Sequence, residues 1–221
     1  MNSLGRNSVS HDELNVAMLG NLHDSPSIFH IGFDAFVAAA VLVVLAPLLA
    51  LVALLVRLDS SGPAVFRQTR TGLNGRTFLI YKFRTMHVQE DGAVVRQARR
   101  GDARMTRLGA ILRKTSLDEL PQLLNVLRGD MALVGPRPHA LAHDSHYGSQ
   151  IAAYRQRFAV RPGITGWAQI NGSRGPTPEL ADMQRRIELD LWYVQNRSFA
   201  LDLRILTATA LHILPSRSNA Y

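Results

Sequence analysis

Between Ala35 and Val56 the chain carries no charged residue and almost no polar one. That run restricts what the rest of the molecule can become. As an α-helix rising ~1.5 Å per residue it reaches roughly 33 Å, enough to cover a bilayer core. A cleaved signal peptide fits poorly, because such leaders start with a basic segment and end at a small-residue site, whereas mostly polar residues precede this run. Two membrane arrangements then stand open. In a simple span, Arg57, Arg67 and Arg70 keep the C-terminal side cytoplasmic and residues 1–30 lie outside. Alternatively, Pro47 removes a backbone donor near the middle and promotes a kink. A helix broken there enters and leaves through one face, with Asp34 and Arg57 at the same interface. Proline does not choose between the two, since membrane helices tolerate it.

The remainder reads as a basic globular sequence. At 221 residues the chain has the length of one ordinary domain with extra elements at its ends. The net charge is +8, and only Lys82 and Lys114 among its 25 basic residues are lysine. Residues 1–30 contribute none of that excess, setting Arg6 against Asp12, Glu13 and Asp24. Arginine suits bidentate recognition of phosphate, so the balance fits nucleic acid, an anionic membrane surface or a phosphorylated substrate. With no cysteine, a disulfide framework, a zinc-thiolate site and a cysteine nucleophile are all excluded.

Downstream of the apolar run, Val65 to Arg70 and Thr77 to Phe83 alternate in character around Asn74-Gly75, which predicts a β-hairpin over 64–83. Residues 88–104 are polar and read as a loop. A helical pattern resumes near Thr106 with Leu108, Ile111 and Leu112. Another starts at Ser116 to Asp118, with Leu117, Leu120, Leu124 and Leu127 at helical spacing and Gly129 as its stop. Residues 131–138 turn through Gly135-Pro136-Arg137-Pro138 and present one arginine. The glycines of 161–175 predict a loop outside the core. Thr177-Pro178 is expected to open a helix to about Asn196 with proline at its first position. A last helix over 198–214 places Leu203, Leu206, Ala210 and Ile213 on one side, for packing or for a membrane surface.

The densest chemical signal is Arg113-Lys114-Thr115-Ser116-Leu117-Asp118-Glu119-Leu120-Pro121. Ser116 and Glu119 have capping-box spacing, and the two carboxylates can simply complement the helix dipole. The same residues also support chemistry. An ionised aspartate can attack phosphorus and form an acyl-phosphate. A neighbouring carboxylate can hold Mg²⁺, which takes one or two carboxylates plus phosphate oxygens. Nearby cations offset diphosphate charge.

Two further clusters are Tyr81-Lys82-Phe83-Arg84-Thr85-Met86 at the hairpin exit and Arg161-Pro162-Gly163-Ile164-Thr165-Gly166-Trp167. Each reads as a substrate contact or as local structure, a strand end and a tight turn respectively. Asp190 and Tyr193 share a helix and are read chiefly as structural. His139 and His143 have i,i+4 spacing but no glutamate between them, so a structural role is expected rather than a metal site.

The order of three segments resembles the bacterial sugar transferase family, the monotopic polyprenyl-phosphate phosphoglycosyl transferases. They are DSSGPAVFRQTRTGLNGRTFLIYKFRTM at 59–86, TRLGAILRKTSLDELPQLLNVLRGDMALVGPRP at 106–138, and RPGITGWAQING at 161–172. The resemblance covers about residues 30–214. It departs at Ser61, where proline is commoner, and at Asn196-Arg197-Ser198, where Asn-Trp-Ser is frequent.

This resemblance implies a mainly helical α+β fold in three parts: a polar extension (1–30), a re-entrant membrane helix broken at Pro47 (31–57) and a compact cytosolic catalytic domain with interfacial amphipathic helices (58–221). It implies that Asp118 is the nucleophile and Glu119 its partner, the two associated with Mg²⁺. Lys82, Arg113 and Arg137 match positions around the phosphates. Arg84 is grouped with them, and Arg161 is expected near the nucleotide. The implied enzyme sits at the bacterial inner membrane facing the cytosol. It transfers hexose-1-phosphate from UDP-galactose or UDP-glucose to undecaprenyl phosphate, initiating exopolysaccharide synthesis. Membrane lipid is a further partner, nucleic acid is not, and a homodimer is compatible. Against this stand a membrane-anchored basic binding protein, which would show steep salt dependence without turnover, and a Mg²⁺-dependent phosphohydrolase using water as acceptor.

Overall fold

A computed structural model describes residues 28–87 and 102–213. Most of the expected polar extension and most of the expected 88–104 loop lie outside the described residues. The molecule is mostly helical with two short sheets. Helix α1 (Ile28–Asp59) takes up the whole apolar run and is helical through Pro47. It is long and apolar enough to cross a membrane. Only Ala38, Val52 and Val56 of it are buried, while Val43 and Val44 near its middle are each 75% exposed.

Both ends of α1 dock on the same body. Ala38, with Phe33, Val37, Val41 and Leu42, packs into the main core of Ile80, Leu123, Val126, Val134, Tyr193 and Ile205. Near the other end Val52 and Val56 pack with Phe83 and Leu112. Polar contacts repeat the pattern. Arg161 Nη2 donates to Asp34 Oδ2 at 3.4 Å, and Arg84 donates to the carbonyls of Val56 at 3.2 Å, Ser60 at 2.6 Å and Ser61. Val56 O also accepts from Ser60 N at 3.4 Å, and Ser60 and Ser61 follow directly on the helix end at Asp59, where carbonyls run short of backbone donors and a guanidinium can supply them.

The expected hairpin is present as β1 (Val65–Thr71) and β2 (Thr77–Phe83), antiparallel with Thr71 opposite Thr77. Its connection is a short 3₁₀ turn, Leu73–Gly75, in which Asn74 and Gly75 both take positive φ. Helix α2 (Arg107–Thr115) starts at Thr106, whose Oγ1 accepts from Gly109 N at 2.8 Å.

Four expectations are corrected. The segment after Ser116 is a 3₁₀ helix, Leu117–Gln122, before it becomes α3 (Leu123–Leu127). Pro121 lies inside that turn and has no N–H for an α-helical bond. The Ser116–Glu119 capping box does not form: Ser116 is left-handed at φ 60 with no side-chain cap, and Glu119 points elsewhere.

The segments read as a turn and a glycine loop meet as a buried parallel pair, β3 (Ala132–Val134) and β4 (Gly163–Thr165). A Cβ on Gly163 would lie 2.0 Å from Gly135 N, so that glycine serves close approach rather than a turn. Helices α4 (Leu141–Gly148) and α5 (Trp167–Ile170) flank this pair in sequence.

Helix α6 (Leu180–Asn196) is capped by Glu179 and Asp182 in a reciprocal box, so Pro178 precedes the cap instead of opening the helix. Helix α7 (Phe199–Ile213) faces the core with Leu201 and Ile205, with Leu206 at the edge and Leu203 exposed. Of the side read as packing or as a membrane surface, Leu203 and Ala210 are thus exposed and Leu206 is half-buried.

Candidate active site

The site begins with how α2 is set on the hairpin. Gly109 comes so close to the strand exit that a Cβ there would sit 2.1 Å from Thr85 O, and Thr106 N donates to that carbonyl at 3.1 Å. Pressed down in this way, α2 delivers Arg113, whose Nε donates to Thr85 Oγ1 at 2.9 Å. The left-handed Ser116 then reverses the chain, and the 3₁₀ turn lays Asp118 and Glu119 against β2. Serine tolerates αL less well than glycine, and its hydroxyl is held by Arg174 Nη2 at 2.6 Å.

Glu119 is clamped. Lys82 Nζ, from β2, donates to its Oε1 at 2.8 Å. Arg137 forms the second arm, with Nη1 to Oε2 at 3.0 Å and Nη2 to Oε1. Burial alone would raise the Glu119 pKa, but Arg137 and Lys82 hold it well below the usual carboxylate range.

Its neighbour behaves oppositely. Asp118 is 7% exposed, and its carboxylate makes no hydrogen bond among the described residues. Burial first, and then the Glu119 charge, push its pKa up to about 6 against the pull of Lys82, Arg113 and Arg137. Lys82 is itself lowered by burial, partly offset by Glu119. Two adjacent carboxylates thus have separate characters: Glu119 is a fixed, ionised anchor and Asp118 an unengaged group that titrates near neutrality.

Behind Arg137 lies a buried polar network. Arg157 pairs with Asp190 at 2.8 Å, reaches His139 Nδ1 at 2.9 Å and donates to the Arg137 carbonyl at 2.6 Å. Burial and the Arg157 charge hold His139 well below its usual pKa, so its ring is neutral. Tyr193 donates to Asp202 at 2.6 Å. Asp190, Tyr193 and His139 are therefore structural, as expected.

A family model described as bacterial sugar transferase matches residues 26–216, most of the chain. The chain belongs to the bacterial sugar transferases. A protein of Caulobacter vibrioides named UDP-glucose:undecaprenyl-phosphate glucose-1-phosphate transferase is 56% identical over 85% of this chain and 70% of its own length. A protein of the same name from Xanthomonas campestris pv. campestris is 50% identical over 84% of this chain. One from Escherichia coli K12 is 45% identical over 90%. This sugar transferase spans 38% and 44% of the lengths of those last two relatives.

Within this sugar transferase, five of the seven residues singled out from the sequence come together: Asp118, Glu119, Lys82, Arg113 and Arg137. Two are turned elsewhere. Arg84 is 3% exposed and spends its donors on the end of α1. Arg161 is buried against Asp34 and the Met131 carbonyl. Both are cations in polar-looking stretches, and sequence cannot say where a guanidinium head goes. Arg157 and Arg174 were missed, since neither lies in a recognisable pattern.

No cluster of three metal-ligating side chains occurs among the described residues. The donor set present is the adjacent pair Asp118 and Glu119. Glu119 Oε2 accepts one hydrogen bond where Oε1 accepts two, which leaves it a lone pair. Two carboxylates of this kind fit Mg²⁺, which completes its shell with water and phosphate oxygens; they do not fit zinc, which prefers nitrogen and sulfur.

Proposed function

We propose that this chain transfers a hexose-1-phosphate, from UDP-glucose or UDP-galactose, to undecaprenyl phosphate, with Asp118 as the covalent nucleophile. The relatives named for glucose-1-phosphate transfer to undecaprenyl phosphate support the reaction class, and glucose as the first sugar to try. A Rhizobium leguminosarum relative, 50% identical over 81% of this chain, is named an exopolysaccharide production protein, which supports that process.

The observation that carries the mechanism is the contrast within the carboxylate pair. A nucleophile must be ionised at working pH yet not tied up in hydrogen bonds. Asp118, near pKa 6 and without a hydrogen bond, meets both conditions. Its Oδ attacks the β-phosphorus of the UDP-sugar. The bond from that phosphorus to the bridging oxygen breaks, and UMP leaves with the electron pair. Undecaprenyl phosphate then attacks the same phosphorus, the acyl-phosphate bond breaks, and Asp118 is restored as carboxylate. Lys82, Arg113 and Arg137 offset charge on the diphosphate. Mg²⁺ held by Glu119 and Asp118 supplies further charge stabilisation when bound.

A lipid acceptor requires a site at a membrane face, and the docking of both α1 ends on one body supports a re-entrant helix. A span would separate those ends by a bilayer core of roughly 30 Å, whereas here strand β2 packs against both, with Ile80 in one cluster and Phe83 in the other, and the pairs of Asp34 and Arg84 add to each contact. The exposed Ile28, Phe29, Phe36, Leu203 and Leu211 support an interfacial position for α7 and the first turns of α1, and the arginines at 57, 67 and 70 support a cytosolic body.

Rapid quench with UDP-glucose in the absence of acceptor tests the reaction. A hexose-phosphate mass on the peptide containing Asp118, released by undecaprenyl phosphate and missing in Asp118→Asn, is the expected result. Parental UMP release from Asp118→Asn would overturn it.

A further inference from the structure

The contact between Arg174 and Ser116 has no role in the reaction as described so far. Arg174 belongs to the 172–175 loop, between α5 and α6, and reaches across to the turn that carries the two carboxylates. Its Nη2 meets Ser116 Oγ at 2.6 Å, and Ser116 O accepts from Glu119 N at 3.2 Å. The guanidinium therefore stands one turn from Glu119, on a residue whose left-handed backbone forces the chain reversal.

The loop is secured at its base and open at its sides. Ser173 N donates to Ala168 O at 2.9 Å. Arg186, buried on α6, donates to Ser173 Oγ at 3.3 Å and to the Gly175 carbonyl. Gly172 takes positive φ, and open space surrounds both Gly172 and Gly175. Such an arm can hold a guanidinium at the site edge while leaving it room to adjust.

Charge supplies the second reason. Arg174 forms no ion pair with a carboxylate among the described residues. Around the acidic pair stand Lys82, Arg113 and Arg137, and Arg174 makes a fourth cation against two carboxylates. An ionised nucleoside diphosphate brings two negative charges to this cation-rich site. Lys82 and Arg137 are committed to Glu119, whereas among the described residues Arg174 donates to a neutral hydroxyl. A guanidinium with donors to spare is suited to a phosphate.

We propose that Arg174, oriented by Ser116, forms the subsite for the nucleoside monophosphate half of the donor, the phosphate that departs with UMP. This rests on the transfer reaction above and adds to it a place for the leaving group. In the first step negative charge builds on the bridging oxygen as it becomes part of UMP. A cation on that side stabilises departure, and it also retains UMP as a product inhibitor.

The test uses the full-length protein in lipid nanodiscs, with UMP and uridine as calorimetric probes and rapid-quench adduct formation with UDP-glucose alongside. Arg174→Ala is expected to weaken UMP by at least about tenfold, the worth of a charge-assisted hydrogen bond, with uridine affinity unchanged. Arg174→Lys should recover part of the loss. Ser116→Gly, which removes the hydroxyl but suits the left-handed backbone, should weaken UMP in the same direction and by less. Parental UMP affinity in Arg174→Ala overturns the assignment, and so does an equal loss for uridine, which would make the contact one to the nucleoside. If the parent forms no adduct on Asp118 yet loses UMP affinity on Arg174→Ala, the transfer reading fails while the subsite stands.

Discussion

Arg157 Nη2 donates to the main-chain carbonyl of Arg137 at 2.6 Å, so one arginine sets the backbone from which another reaches Glu119. Arg157 is held in turn by Asp190, and both are almost fully buried. Removing one member of a buried ion pair leaves the other charge uncompensated, at a cost of about 3–5 kcal/mol. Asp190→Asn is therefore expected to lower the thermal midpoint by roughly 10 °C and to slow UMP release through displacement of Arg137. Differential scanning fluorimetry with a coupled UMP assay reads both. An unchanged midpoint would show that the pair does not carry this strut.

Asp118→Asn should be inactive and more stable. Burial and Glu119 raise the Asp118 pKa from 3.8 to about 6, so the folded state binds its proton more tightly than the unfolded state. Stability from this group is fully present below pH 3.8 and declines as pH rises through 6. Above that, the ionised carboxylate costs about 3 kcal/mol at most. Asparagine removes the cost, so the variant is expected to gain about 1–3 kcal/mol at pH 8 and almost nothing near pH 4. Denaturant titrations at the two pH values check this. A variant gain that grows on acidification would contradict the sign.

The same titration governs rate. If the ionised carboxylate attacks, the UMP burst of the parent enzyme falls as pH drops through 6, and at pH 5 it is about a tenth of its plateau. A burst independent of pH between 5 and 8 would argue against Asp118 as the attacking group.

Arg84→Ala is expected to unsettle the end of α1 without changing nucleotide affinity. Its three acceptors are the carbonyls of Val56, Ser60 and Ser61; Val56 O keeps Ser60 N as a donor, so losing these charge-assisted bonds costs about 1–3 kcal/mol in all. Limited proteolysis near residues 58–64 should accelerate while UDP-glucose binding is retained. Loss of UDP-glucose binding in a variant of parental stability would instead return Arg84 to the substrate.

Arg84 also illustrates what a sequence does and does not disclose. Local signals are readable: the apolar run, Asn74-Gly75 at the hairpin tip, the helical pattern that resumes near Thr106, and the acidic pair behind two cations. Each depends on neighbours a few residues apart. The β3–β4 pair was not readable, because its strands are three residues long and their partners lie far apart in sequence, so no alternation develops. Ser116 reads as a helix cap because serine commonly is one; in the fold it is left-handed and its hydroxyl meets Arg174, far away in sequence. Among the arginines, type was legible and destination was not. Arg113 and Arg137 reach the acids, Arg84 and Arg161 hold α1, and Arg157 acts through a backbone carbonyl.

Finally, the re-entrant topology proposed for α1 can be tested without background, because the chain has no cysteine. Ile28 and Leu58, near the two ends of α1, are 89% and 75% exposed, so Ile28→Cys and Leu58→Cys disturb little packing. In a re-entrant helix both thiols face the cytosol. In intact cells neither should react with a membrane-impermeant maleimide until the inner membrane is opened, and both should react then. Val44→Cys, exposed on the protein but within the apolar stretch, should stay unlabelled throughout, since a thiol in hydrocarbon does not ionise and maleimide needs the thiolate. A span predicts instead that Ile28→Cys labels from the periplasm while Leu58→Cys does not. That outcome would require the pairs of Asp34 with Arg161 and of Arg84 with the α1 carboxyl end to lie on opposite sides of a bilayer, although strand β2 packs against both ends of the helix, through Ile80 and Phe83.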